Sequence, residues 1–87
     1  KNDKNDLRAL LAQLHTRLSH ATSIDAESRK LLVTVSGDIE TTLARSGGGR
    51  ATHESRLREL AAKFETEHPA LAEAVRDVID GLGKAGI

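Results

Sequence analysis

The sequence predicts an all-α fold: a small helical bundle or antiparallel helical hairpin, with a long third helix kinked or broken at His68-Pro69. Large apolar residues recur at spacings of three and four along four separate stretches, the period of an amphipathic helix. The residues that punctuate helices fall between or at the edges of those stretches: a run of three glycines at 47–49 and a single proline at 69. The composition is aliphatic, with one aromatic in 87 residues, Phe64, and helical bundles and coiled-coil modules accommodate this well.

The first helix is expected at about 5–21. Asp3, Asn5 or Asp6 can cap it, and Leu7, Leu11, Leu14 and Leu18 form its seam, widened by Leu10. Ser19, Thr22 and Ser23 mark its end, because side-chain hydroxyls compete for the backbone. The second helix is expected at 26–45. Asp25 is its cap, Glu27 suits the positive end of the dipole, and Leu32, Val35, Ile39 and Leu43 line one face with Leu31 beside it. The block VTV at 33–35 favours a strand locally, but three β-branched residues do not outweigh a stripe of this length. Gly37 lies inside the helix, where it lowers propensity by roughly 1 kcal/mol relative to Ala; a close helix approach would explain it.

Three glycines stop the second helix near Arg45 and make 46–51 a flexible connection. The third helix is expected at 52–67, with Thr52 as its cap and the pairs Glu54–Arg58 and Glu59–Lys63 on a solvated face. The fourth is expected at 69–85. Proline lacks the N–H that bonds four residues back, so a helix reaching Pro69 either kinks or stops and restarts there. Leu57, Phe64, Leu71 and Val78 keep a seven-residue spacing straight through the proline, which favours a kink. His68, pushed from the α region by the proline that follows, favours a restart. One residue between helices is too few for a full reversal, so an angled divergence is expected. Gly81 and Gly83 leave a smooth surface for a neighbouring helix. Gly86 and Ile87 fit a Schellman motif packing back on Leu82, so the chain reads as finished at Ile87, whereas its start at Lys1 without a Met suggests a lost beginning.

A chain of this length makes one domain with much surface for its interior; a monomer is marginal and self-association is a physical option. Without Cys there is no disulfide framework and no thiolate chemistry. No apolar run is long enough to span a bilayer, and KNDKND is the wrong chemistry for a signal peptide, so a cytoplasmic protein with no membrane partner is expected. Basic and acidic residues balance at 13 each, which argues against a polyanion as the main partner, and one aromatic offers no stacking platform for bases.

The stretches LRALLAQLH at 7–15, SIDAESRKLL at 23–32 with the later GDIETTL, and FETEHPALAEAV followed by LGKAGI carry a resemblance. The chain resembles, over nearly its whole length, a family of short bacterial helical proteins known only as a domain of unknown function. The resemblance implies a bacterial origin and an all-helical fold; it brings no activity, cofactor or catalytic residue.

Candidate chemistry does not converge. His15 and His20 are five apart on one helix, so they do not share a face as a zinc-binding pair would, and His53-Glu54 lacks the second His of a zincin because residue 57 is Leu. Each His reads as surface or capping. His68 reads as a structural joint, since no nucleophile pairs with it. Glu73, Asp77 and Asp80, with Arg76 available to pair with Asp80, read as a solvated face. No catalytic residue, metal or cofactor is expected. Two binding readings remain. The first is protein–protein contact, most simply homo-oligomerisation or capture of a partner helix, through a seam of Leu57, Phe64, Leu71, Val75, Val78 and Leu82. The second is anion or nucleic-acid contact by Arg45, Arg50, Arg56 and Arg58 around the glycine loop, which lacks the Lys-Ser or Lys-Thr of a P-loop.

Overall fold

The computed structural model describes residues 3–45 and 50–85, with the side chains at 45 and 50–52 outside the described set. The chain folds into α1 (Asp3–His20), α2 (Ala26–Arg45), α3 (Arg50–Glu67) and α4 (Pro69–Ala85). No strand occurs among the described residues. The fold is all-α, as the periodicity predicts. Each helix packs on the next and α4 closes against α1, while neither diagonal pair meets among the described residues. That is a four-sided bundle. Cross-links give its direction: Thr42 meets His53 and Asp38 meets Arg56 between α2 and α3, and Arg17 near the end of α1 meets Ala70 near the start of α4. Neighbouring helices therefore run antiparallel, up-down-up-down.

The core takes one stripe from each helix: Leu7, Leu11, Leu14 and Leu18 from α1; Leu32, Val35, Ile39 and Leu43 from α2; Leu57, Leu60, Ala61 and Phe64 from α3; and six residues of α4, among them Leu71, Val75, Val78 and Leu82. Helix α4 is the pivot, packed closely on α1 and α3, whereas α2 makes a thinner contact with each of its neighbours. Gly81 explains part of the α1–α4 closeness: a Cβ there would stand 3.0 Å from Leu10 Cδ1 and 3.1 Å from Leu7 Cδ1. The smooth surface read at Gly81 is thus occupied by the chain's own first helix. At Gly37 and Gly83 a Cβ would meet nothing within 4 Å, so no helix of the bundle accounts for Gly37.

At His68 the helix breaks. Its N–H donates to Phe64 O at 2.7 Å, closing α3, and its C=O accepts from Ala72 N–H at 2.9 Å, opening α4. One residue serves as the end of one helix and the start of the next, with Pro69 at the first helical position, where a missing N–H costs nothing. A continuous helix from Arg50 to Ala85 would measure about 54 Å, against a longest molecular dimension of 34 Å. The turn is sharper than an angled divergence. Arg76 reaches Glu65 at 3.0 Å, and Arg58 and Ile79 line one surface hollow, so α4 folds back beside α3. The single-residue reversal succeeds because the apolar faces on the two sides of the corner close on each other. Phe64 and His68 meet edge to face there, with ring centroids 6.1 Å apart.

Three further expectations are corrected. Helix α3 starts at Arg50, so Thr52 lies inside it and does not cap it; Arg50 and Ala51 are good helix formers and extend the first turn. Lys63 pairs with Asp25 across helices at 3.5 Å where Glu59 was the expected partner. Asp80 pairs with Lys84 at 3.3 Å and Arg76 with Glu65, because an acid preceding a base by four suits the helix dipole and the reverse order does not. The Schellman contact of Gly86 and Ile87 and residues 46–49 of the flexible connection expected at 46–51 lie outside the described residues, and the last two positions of that connection, Arg50 and Ala51, belong to α3.

The α1–α2 connection is held at both ends. Arg29 donates from Nη2 to Ala21 O at 2.7 Å, a carbonyl just past the end of α1, and from Nη1 to Leu18 O at 3.3 Å, which also accepts from Ala21 N–H at 3.2 Å. Asp25 caps α2: its Oδ2 accepts from Ser28 N–H at 3.1 Å and from the Ser28 hydroxyl at 3.0 Å, with Ser28 itself buried. The Ser28 hydroxyl first and the Ser28 N–H next hold the Asp25 carboxyl below its ordinary value, against an opposing effect of desolvation and with a lesser contribution from the Lys63 ammonium. A lowered folded-state value means that the ionised cap stabilises fully above the unfolded carboxylate range, and that this stabilisation is lost as pH falls through the folded value. Thermal unfolding should therefore show Asp25→Ala less stable at neutral pH, with the gap to the parent closing only in acid below the ordinary carboxylate range. A gap that stays constant into strong acid would take the charge out of the argument.

Candidate functional site

The six seam residues read from the sequence are brought together, but inside one chain. Leu57, Phe64, Leu71, Val75, Val78 and Leu82 are all buried, none more than 3% exposed. They are the α3 and α4 contribution to the bundle's own core. In this fold they face the interior, and a partner surface has to be built from other residues.

The arginines divide. The side chains of Arg45 and Arg50 lie outside the described set. Arg56 faces Asp38 at 3.6 Å and Arg58 faces Glu54 at 3.7 Å, both at the surface. Each of these two has a carboxylate as its nearest charge, so the surface here is mixed in sign.

The histidines are scattered over the bundle. His15 and His20 are exposed, and His68 is half-buried at the corner. His53 departs from the expected surface position: it is 7% exposed in the first turns of α3, with Nε2 3.2 Å from Thr42 Oγ1. The Thr42 hydroxyl donates to Asp38 O at 2.9 Å, so its single proton is committed and the imidazole N–H is the donor in the His53–Thr42 contact. Nδ1 of His53 is buried with no partner among the described residues. Spacing arguments test histidines as metal ligands and do not ask which hydroxyl the neighbouring helix sets beside them. Among the described residues no group of three or more His, Asp or Glu side chains is close enough to hold a metal ion.

The surface that stands out is α2. Two large apolar side chains are exposed among the described residues, Leu31 at 46% and Val33 at 49%, and both are on this helix. At about 100° per residue, the core stripe of Leu32, Val35, Ile39 and Leu43 leaves Leu31 on its α3 side and Val33 on its α1 side. Each lies beside an open groove. The α2–α3 groove, about 720 Å³, has Leu31, Val35 and Leu60 on its apolar lining and Glu27, Glu59, Arg56 and Lys63 at its rim. The α1–α2 groove, about 510 Å³, is lined by Leu11, Ala12 and His15 from α1 and by Val33, Gly37 and Glu40 from α2. Thin packing of α2 on both neighbours is what leaves these grooves unfilled. The sequence did carry the signal, since Leu31 and Val33 fall outside the stripe that Leu32, Val35, Ile39 and Leu43 define.

A family model described as a domain of unknown function, DUF4404, matches residues 7–87. The chain belongs to the DUF4404 family. The match runs from the first core leucine through the whole of α4, so the family unit is the bundle itself. Comparison with curated proteins and with solved structures finds no match. Family membership thus supplies a fold-sized unit and no activity, and the DUF4404 bundle has to be read from its own surface. No helix among the described residues is long and apolar enough to cross a membrane.

Proposed function

We propose that this DUF4404 bundle is a helical module that acts by protein–protein contact, most simply by self-association, within a bacterial cytoplasm. One observation carries the reading: the large apolar side chains left exposed, Leu31 and Val33, are concentrated on α2 beside two unfilled grooves. A single exposed apolar residue is ordinary on a protein surface, but each of these two stands at the edge of an open groove with an apolar lining, on opposite sides of α2, where a partner would bury it together with that lining. The small size of the domain adds to this, because a surface-rich bundle gains stability from any apolar area it buries against a partner. Anion binding has weaker support, since Arg56 and Arg58 each face a carboxylate; no salt-dependent binding to duplex DNA or RNA at low ionic strength is expected.

Sedimentation equilibrium tests the reading directly. The expected result is a mass that rises from monomer toward a closed oligomer across the micromolar range. A single monomer mass throughout would remove self-association and leave a helix from another protein as the occupant of these grooves.

A further inference from the structure

We infer that a second copy of this chain packs its α2 antiparallel against the outer face of α2, giving a two-fold dimer. The inference rests on the self-association reading and specifies its surface on the Val33 side of α2, leaving Leu31 and the α2–α3 groove outside the contact. Ala26, Lys30, Val33, Gly37, Glu40 and Ala44 follow one another along α2 at spacings of four, three, four, three and four. They form one straight stripe on the outer side of α2, leaning toward α1; all six are exposed, and Val33, Gly37 and Glu40 also line the α1–α2 groove.

The stripe is its own complement when reversed. Laid antiparallel about its midpoint, Ala26 stands opposite the partner's Ala44, Lys30 opposite the partner's Glu40, and Val33 opposite the partner's Gly37. Two-fold symmetry repeats each contact, as an isologous interface requires. Lys30 and Glu40 make no ion pair among the described residues, so both charges are available for the crossing pair. A parallel arrangement would set Lys30 against Lys30 and Glu40 against Glu40. Charge therefore selects the antiparallel one.

Shape agrees with charge. Gly37 weakens the interior of α2 by roughly 1 kcal/mol relative to Ala, and no atom within 4 Å of its would-be Cβ explains it. Gly81 is explained within the chain by Leu7 and Leu10. In the dimer, the partner's Val33 fills the space above Gly37, and the small Ala26 and Ala44 at the two ends let the helix axes approach closely. The α1–α2 groove beside Val33, Gly37 and Glu40 then receives the flank of the partner's helix.

Four proteins test this by sedimentation equilibrium, with circular dichroism confirming helicity: the parent chain, Lys30→Glu, Glu40→Lys and Gly37→Leu. The parent should dimerise. Each charge variant places two like-charged pairs in its own dimer and should associate roughly tenfold or more weakly. An equimolar mixture of Lys30→Glu and Glu40→Lys should regain association, because every crossing pair in the mixed dimer is again Glu with Lys. Gly37→Leu should keep its helicity, since the monomer has open space there, and lose the dimer. A parent dimer indifferent to all three substitutions overturns this surface and leaves self-association standing. A parent that is monomeric throughout overturns both. Weakened single variants with no recovery on mixing overturn the antiparallel register.

Discussion

Truncation of Phe64 to Ala is expected to cost about 3–5 kcal/mol of folding stability, by the same amount at high and low protein concentration. Phe64 is 2% exposed and is the only aromatic side chain in the protein. It sits one turn before the corner, where α3 ends and α4 folds back, with its ring edge to face with that of His68. No neighbour is free to collapse into the space it would leave, because α4 is held from its other side by α1. A domain of this size has about 5–15 kcal/mol in total, so the variant should stand near its unfolding threshold. Urea denaturation at two protein concentrations decides where the residue works. If Phe64 belongs to the intrachain core, the difference between parent and variant is the same at both. If it formed part of a seam between chains, the difference would shrink on dilution, as the parent lost the contact too.

That experiment bears on what the sequence could and could not reveal. The four helical stripes were legible because each helix buries one face, and burial of one face imposes the three-four period whatever the topology. Topology itself was not legible at His68-Pro69. The seven-residue series Leu57, Phe64, Leu71 and Val78 is compatible with a continuous seam and equally with two helices folded face to face, since all four residues are buried in either case. What separates the alternatives is α1, which packs on α4 through Gly81 and Arg17, and no local pattern in α3 or α4 announces it. His53 was misread for a related reason. Its partner Thr42 is on the preceding helix, and the antiparallel alignment of α2 and α3 is fixed by Asp38–Arg56 and the core, not by the residues around His53. On α2 the sequence shows that Leu31 and Val33 fall outside the core stripe, whereas their exposure depends on how thinly α1 and α3 cover the helix. Gly37 and Gly81 look alike in the sequence, and only their neighbours in the fold tell them apart.

Substituting those two glycines by Val turns that difference into a measurement, and Gly81→Val is expected to destabilise the bundle by about 1–3 kcal/mol. Adding only a Cβ at position 81 brings it to 3.0 Å from Leu10 Cδ1 and 3.1 Å from Leu7 Cδ1, a crowding of a few tenths of an ångström. For Gly81→Ala, the gain in helix propensity, about 1 kcal/mol, offsets much of that. Val adds two methyl groups on a stiff χ1, and one of them must enter the volume of Leu7 or Leu10. Leu10 is half-buried and can swing outward. Leu7 is 0% exposed and cannot, so α1 has to move away from α4 along one of the two closely packed sides of the bundle. Leu10→Ala in the same chain should recover part of the loss, which a double-mutant cycle reads as coupling between the two sites. Gly37→Val carries no such penalty in the monomer, because its Cβ enters open space, and its unfolding midpoint should equal or slightly exceed the parent's under conditions where the chain is monomeric. Equal destabilisation by the two Val substitutions would mean that α1 does not lie against α4 at the height of Gly81.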